Sequence, residues 1–169
     1  MDGQTNLYED LVKSLMDSGS SELVSNGQPE HAMVLFKLFF ERAKTRVKIF
    51  CCNLDEKVFQ HDCLLKAAEA ALNRGVFIEV IIQEEKPNES QFATWLQSVS
   101  NQENCRAYLK SAFNNPTFAD LPANFAVMDN LAFRFEPNRK KIAAYASMNN
   151  PQDVDVLSKS FDQIKSRLK

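Results

Sequence analysis

The chain has 169 residues, 44% of them apolar and 25% charged, the balance of one globular domain with a proper core and not of a disordered segment. Its 20 basic and 22 acidic side chains leave a formal net charge of −2, which argues against an obligate nucleic-acid binder, although a local basic patch stays open. Only four glycines occur, too few and too scattered for a phosphate cradle of the P-loop or dinucleotide type.

No apolar run approaches the ~20 residues that cross a bilayer. Met1 to Asp10 is polar and acidic, unlike a secretory or transit segment. The cysteines Cys51, Cys52, Cys63 and Cys105 make no regular framework, and two are neighbours in sequence. A cytoplasmic protein with reduced thiols is the expectation.

In chain order, Leu7, Leu11 and Leu15 with Tyr8 and Val12 predict an amphipathic helix, ended by Asp17-Ser18-Gly19-Ser20. Pro29 stands at a first helical position, and a second helix through Met33, Leu35, Phe36, Phe39 and Phe40 to Lys44 is apolar enough to be buried on most sides. Val47 to Cys52 reads as a strand and Asn53-Leu54-Asp55 as a turn. A third helix covers His61 to Arg74 and closes at Gly75. Val76 to Ile82 is nearly unbroken β-branched text, expected of a central parallel strand covered on both faces, so a βαβ unit is predicted here.

Phe92, Trp95, Leu96 and Val99 make a fourth helix, and Cys105 to Leu109 a third strand. Lys110 to Asn124 reads as a loop. Short strands follow at Phe125–Met128, Leu131–Phe135 and Ile142–Tyr145, the first pair joined by the turn chemistry of Asp129-Asn130. A last helix, Asp153 to Leu168, aligns Leu157, Phe161, Ile164 and Leu168 on one stripe. The fold class is α/β, and the organisation expected is an N-terminal helical extension over 1–25 joined to 26–169 in one structural domain.

This order of elements, with its local texts, resembles one repeat of the phospholipase D superfamily. Ala43 through Leu54 is similar to its opening helix and strand, and Asn73-Arg74-Gly75-Val76 to a helix ending in R-G-V before an apolar strand. Phe125-Ala126-Val127-Met128-Asp129-Asn130 resembles the strand that ends in the motif aspartate, and Ala146-Ser147-Met148-Asn149 the G-S-x-N element. The resemblance spans residues 30 to 169 and implies a mixed sheet flanked by helices, with the first helix as an addition.

The family's signature is His, any residue, Lys, four residues, Asp. Counting back from Asp129, the lysine position holds Asn124 and the histidine position Pro122. In the family the histidine attacks phosphorus, and the lysine with the later asparagine holds the phosphate oxygens. Proline offers no nucleophile and asparagine no charge. His31 and His61 lie on other elements, so neither is expected to substitute. What the resemblance leaves is a remnant phosphate groove of Asn124, Asp129, Ser147 and Asn149, with Arg134 and Lys140 as nearby cations.

Other groupings carry plainer readings. Cys51, Cys52, His61 and Cys63 fall close together but lack the paired spacing of zinc ligands, so small buried thiols are expected, with no metal and no cofactor. Arg134, Arg139, Lys140 and Lys141 read first as a solvated hairpin edge. Phe113 and Phe118 punctuate a loop, as interface or as core in equal measure. No G-x-S-x-G elbow occurs. The expected function is a non-catalytic interaction or regulatory module, as a homodimer or docked on a heteromeric protein partner. The alternative is a phosphodiester-binding or residual nuclease domain acting on nucleic acid. A membrane-headgroup role is disfavoured by the net charge and by the lack of a basic amphipathic helix.

Overall fold

The β-branched run at the middle of the chain sets the centre of the architecture. In a computed structural model that describes residues 3–141 and 143–168, the elements in order are α1 (Gly3–Ser18), β1 (Leu23–Asn26), α2 (Pro29–Arg42), β2 (Arg46–Cys51), α3 (Glu56–Phe59), α4 (Asp62–Asn73) and β3 (Phe77–Ile82). There follow α5 (Gln91–Ser100), β4 (Ala107–Ser111), α6 (Pro116–Ala119), β5 (Asn124–Met128), β6 (Ala132–Glu136), β7 (Ala144–Ser147) and α7 (Pro151–Arg167).

One sheet takes all the strands in the order β1-β7-β6-β5-β2-β3-β4. The βαβ expectation holds: β2 and β3 pair in parallel from Arg46↔Phe77 to Cys51↔Ile82, and β4 continues in parallel on β3. Across β2 the sheet changes sense, because β5 pairs antiparallel with Val47↔Met128 and Phe50↔Phe125 opposed. The hairpin β5–β6 and the strands β7 and β1 extend this antiparallel half.

Alternation along the strands sorts the core into two layers. Val47, Ile49, Ile78, Val80, Ala126 and Met128 face α1, α2, α4 and α5 in the larger apolar cluster. Phe50, Ile81 and Phe125 face α7, where Phe161 and Ile164 complete a second cluster. α2 is buried on most sides, as its composition predicts, with Met33 to Phe36 and Leu38 to Phe40 all inside. α4 ends as expected at Gly75, whose φ of +87° permits a cap in which the Gly75 and Val76 amides donate to Leu72 and Ala71 carbonyls.

Several segments differ from the sequence expectation. The segment 1–25, expected as a helical extension, is not helical throughout: Leu23–Asn26 pairs with β7 and joins the sheet across the 25/26 boundary. The third late strand runs Ala144–Ser147, two residues beyond Ile142–Tyr145, and Ile142 lies outside the described residues. The loop from Lys110 to Asn124 opens with the last residues of β4 and holds the single turn α6. α7 starts at Pro151, not Asp153, because Asn150 caps it by accepting from the Asp153 amide.

Candidate functional site

The change from parallel to antiparallel pairing at β2 leaves a crevice beyond its carboxyl end, the place where open α/β sheets hold ligands. There the structure has a cavity of about 410 Å³. Its floor is Ala32 and Phe36 of α2, Ile49 and Cys51 of β2, and Phe59 of α3, all buried. Its rim is polar: Gln28, Asp55, Lys57 and Lys140 are exposed, and Asn124, Glu136 and Arg139 are half-buried.

The polar wall is wired through its side chains. Residues two apart on a strand share a face, so Arg134 and Glu136 of β6 both point toward α2. Arg134 Nη1 donates to Glu136 Oε2 at 3.3 Å, its Nε to Asn26 Oδ1 at 3.2 Å, and its guanidinium lies 5.8 Å from the Phe36 ring centre. Burial pulls this guanidinium below the ordinary arginine value, and the Glu136 charge pulls the other way. Asn124 Nδ2 donates to the same Glu136 oxygen at 3.1 Å, while Asn124 Oδ1 accepts from the Cys52 amide at 3.0 Å. Asn26 in turn donates to Tyr8 Oη, and the Tyr8 ring stacks on His31 at 3.9 Å between centres.

Arg139 is placed by its own loop. Its amide donates to the Pro122 carbonyl at 2.7 Å, and Nη1 donates to Gln83 Oε1 at 2.8 Å and to the Ala119 carbonyl at 3.3 Å. Gln83 anchors that corner with its amide on the Phe118, Ala119 and Leu121 carbonyls. Both cavity thiols are pushed up by burial, Cys51 to about 12, and Glu84 beside Cys52 adds to its rise. Neither is a thiolate near neutral pH.

Of the six residues proposed from the sequence, Asn124, Arg134 and Lys140 meet at this cavity. Asp129, Ser147 and Asn149 do not reach it. Asp129 closes the β5–β6 turn at the opposite end of the hairpin, where its carboxylate binds the Lys44–Arg46 backbone. Ser147 pairs with Phe133, which faces α7, so it points to the other side of the sheet and donates to the Ser21 carbonyl. Asn149 donates to the Gly19 carbonyl at 2.7 Å.

Arg139 and Cys51, expected from the sequence only as a hairpin-edge cation and a small buried thiol, also line the cavity, as do Glu136 and Phe36, while Asn26 supports Arg134 from behind. Of the residues that the sequence does not point to, only Glu136 carries a signal, two residues after Arg134 on one strand. Among the described residues no three groups of metal-binding type gather. Cys63 Sγ lies 3.7 Å from Met33 Sδ, and His61 Nε2 lies 3.3 Å from the Lys57 carbonyl oxygen. The loop aromatics divide, with Phe118 buried and Phe113 exposed. No helix among the described residues is long and apolar enough to cross a membrane.

A mixed sheet with three parallel strands, an antiparallel hairpin half and helices on both faces is a phospholipase D-like fold, and solved structures share it. The chain is similar to Nuc of Salmonella typhimurium, a phospholipase D family member, with a TM-score of 0.59 and 17% identity over 88% of this chain and 96% of that one. NucT of Helicobacter pylori gives a TM-score of 0.60 at 11% identity, covering 87% of this chain and 98% of its own. TrmBL2, an archaeal chromatin protein described as showing a novel mode of DNA binding, gives 0.61 at 10% identity over 98% of this chain; the chain covers 62% of TrmBL2, less than two thirds. At these identities the likeness is one of fold. No protein family matches the sequence, and no curated protein does.

Proposed function

We propose that this chain is a non-catalytic phospholipase D-like domain, a pseudoenzyme that works as a protein-interaction or regulatory module. One observation carries the reading: the cavity wall lacks the chemistry of phosphoryl transfer. The motif positions counted from Asp129 are Pro122 and Asn124. Asn124 is held on one side by the Cys52 amide and on the other by Glu136. A carboxylate in that wall opposes a phosphodiester. Among the described residues no histidine lines the cavity, and its two thiols stay protonated near neutral pH.

The module acts as a homodimer or as a subunit of a heteromeric complex. Leu7 and Leu11, 71% and 48% exposed on the outer face of α1, support a contact there. The direct test incubates purified chain with bis(p-nitrophenyl) phosphate and with labelled single- and double-stranded DNA, with and without chelator. The expected result is no turnover above a protein-free blank. Hydrolysis that co-purifies with the chain and disappears in Asn124→Ala overturns the proposal. Light scattering that returns only a monomer mass, together with no partner in native complexes, removes the assembly.

A second reading, phosphodiester binding without cleavage, is favoured by the likeness to a DNA-binding chromatin protein and by Lys57, Arg139 and Lys140 at the cavity. Retention of labelled DNA that is lost on reversing these charges selects it.

A further inference from the structure

The cavity carries more charge information than its motif positions do. Its lining holds Lys57, Arg134, Arg139 and Lys140 against Asp55 and Glu136, two more positive than negative on a chain whose formal net charge is −2. The charges are not spread evenly. Arg134 and Glu136 neutralise one another in the wall, and the Asp55 carboxylate accepts from the Lys57 amide. The excess therefore falls at the rim, with the Lys57 and Lys140 side chains exposed and Arg139 beside them. Below that rim the floor is apolar: Ala32, Phe36, Ile49 and Phe59 are each no more than 5% exposed.

The geometry points to a small amphiphile as the ligand of this cavity, with an anionic head (carboxylate or phosphate monoester) at Lys57, Arg139 and Lys140 and an apolar body on Phe36, Phe59 and Ile49. The inference rests on the non-catalytic reading and names what such a module senses. Three arguments support it. A volume of about 410 Å³ falls within the roughly 300–1,000 Å³ of small-molecule sites. Apolar floors with a few placed polar groups bind by burial and orient by charge. Glu136 and Asn124 already satisfy one another at the wall, so the incoming charge is met at the rim and not at the motif position. A membrane surface fits less well, since the cations ring a concavity and do not form a basic helix face.

Anilinonaphthalene sulfonate, an anion on an aromatic body, is the probe, with decanoate, decyl phosphate, decanol and decylamine as competitors below their micellar range. Saturable probe binding at one site per chain is expected. Both anions displace the probe, decanol does so about tenfold less well, and decylamine does not, as loss of charge-assisted contacts requires. The stronger of the two anions names the head. The double variant Lys57→Glu/Lys140→Glu, at two exposed positions, weakens decanoate by about tenfold with decanol unchanged. Ala32→Trp, which fills the floor, abolishes all competition, and near-ultraviolet circular dichroism reports whether each variant keeps its packing.

Decylamine competing as well as decanoate, decanoate binding untouched by the double reversal in a folded variant, or no saturable site overturns the inference. A short peptide with a free apolar C-terminus that outcompetes decanoate by tenfold or more also overturns it, in favour of a protein partner. The two proposals fail separately. Phosphodiester hydrolysis with intact decanoate binding sinks the non-catalytic reading alone, while absence of both hydrolysis and amphiphile binding sinks this one alone.

Discussion

Asp129 accepts hydrogen bonds from the Lys44, Thr45 and Arg46 amides, each at 2.9 Å, and from Thr45 Oγ1 at 2.7 Å. Its φ of +52° turns the chain between β5 and β6 while its carboxylate ties that turn to the start of β2. Burial raises its pKa, but the hydrogen bonds from the Arg46 and Lys44 amides and from Thr45 outweigh this, so the carboxyl titrates below the ordinary 3.8. A depressed folded value stabilises above the unfolded one, and that stabilisation is lost as pH falls through the lower, folded value. Asp129→Asn, which tolerates the left-handed backbone, is expected to cost about 1–2 kcal/mol at neutral pH and to flatten the acid limb below about pH 4. Asp129→Ala is expected to cost about 1 kcal/mol more, because alanine also pays for the positive φ. Urea unfolding at a series of pH values measures both, and a Asp129→Asn variant with the wild-type acid limb refutes the assignment.

Among elements, α7 shows which of two interactions holds a helix to the sheet. Lys48, in the middle of β2 and 1% exposed, sends its ammonium to Asp162 Oδ1 at 2.7 Å and Ser158 Oγ at 2.9 Å. Asp162 is 58% exposed, so its charge is screened and the pair contributes little beyond about 1 kcal/mol. Phe161, fully buried against Phe50, Phe125 and Ile81, is the anchor. Phe161→Ala is expected to cost about 3–5 kcal/mol, and Lys48→Met to change stability by no more than about 1 kcal/mol, since an apolar side chain of similar length replaces a buried cation at little cost. Chemical denaturation decides it: a Lys48→Met loss as large as that of Phe161→Ala reverses the order. These elements also mark what was legible in the sequence. Val76–Ile82 and α2 declare themselves because their apolar density fits one environment only. β1 does not, because Leu23-Val24-Ser25-Asn26 has no strand signal of its own and becomes a strand by pairing with β7. The two-residue shift at β7 has the same origin: Ala143, Ala144 and Ala146 set no register, so the partner strand does.

For the molecule as a whole, the fold was readable from the order of its elements, whereas half of the remnant groove was not. Asn124, Arg134 and Lys140 converge because a hairpin and its following loop bring near neighbours together. Ser147 does not, because the Phe133↔Ser147 register, invisible in the sequence, turns it to the other face, while Asp129 closes the far end of the hairpin and Asn149, beyond the end of β7, is held at the Gly19 carbonyl. The cavity thus carries a local basic rim on a chain whose basic and acidic side chains nearly cancel, and this bounds any nucleic-acid role. Lys57, Arg139 and Lys140 can neutralise about three phosphates between them. At a slope of about −0.9 per phosphate on duplex DNA, log Kd against log salt has a magnitude near 2.7, so affinity falls roughly 40-fold between about 50 and 200 mM salt. Charge reversal at Lys57 and Lys140 is expected to remove about two units of that slope, and filter retention of a short labelled duplex across a salt series measures it. A slope several units steeper, or one indifferent to both reversals, means that DNA is held on another surface and that the cavity rim serves a different ligand.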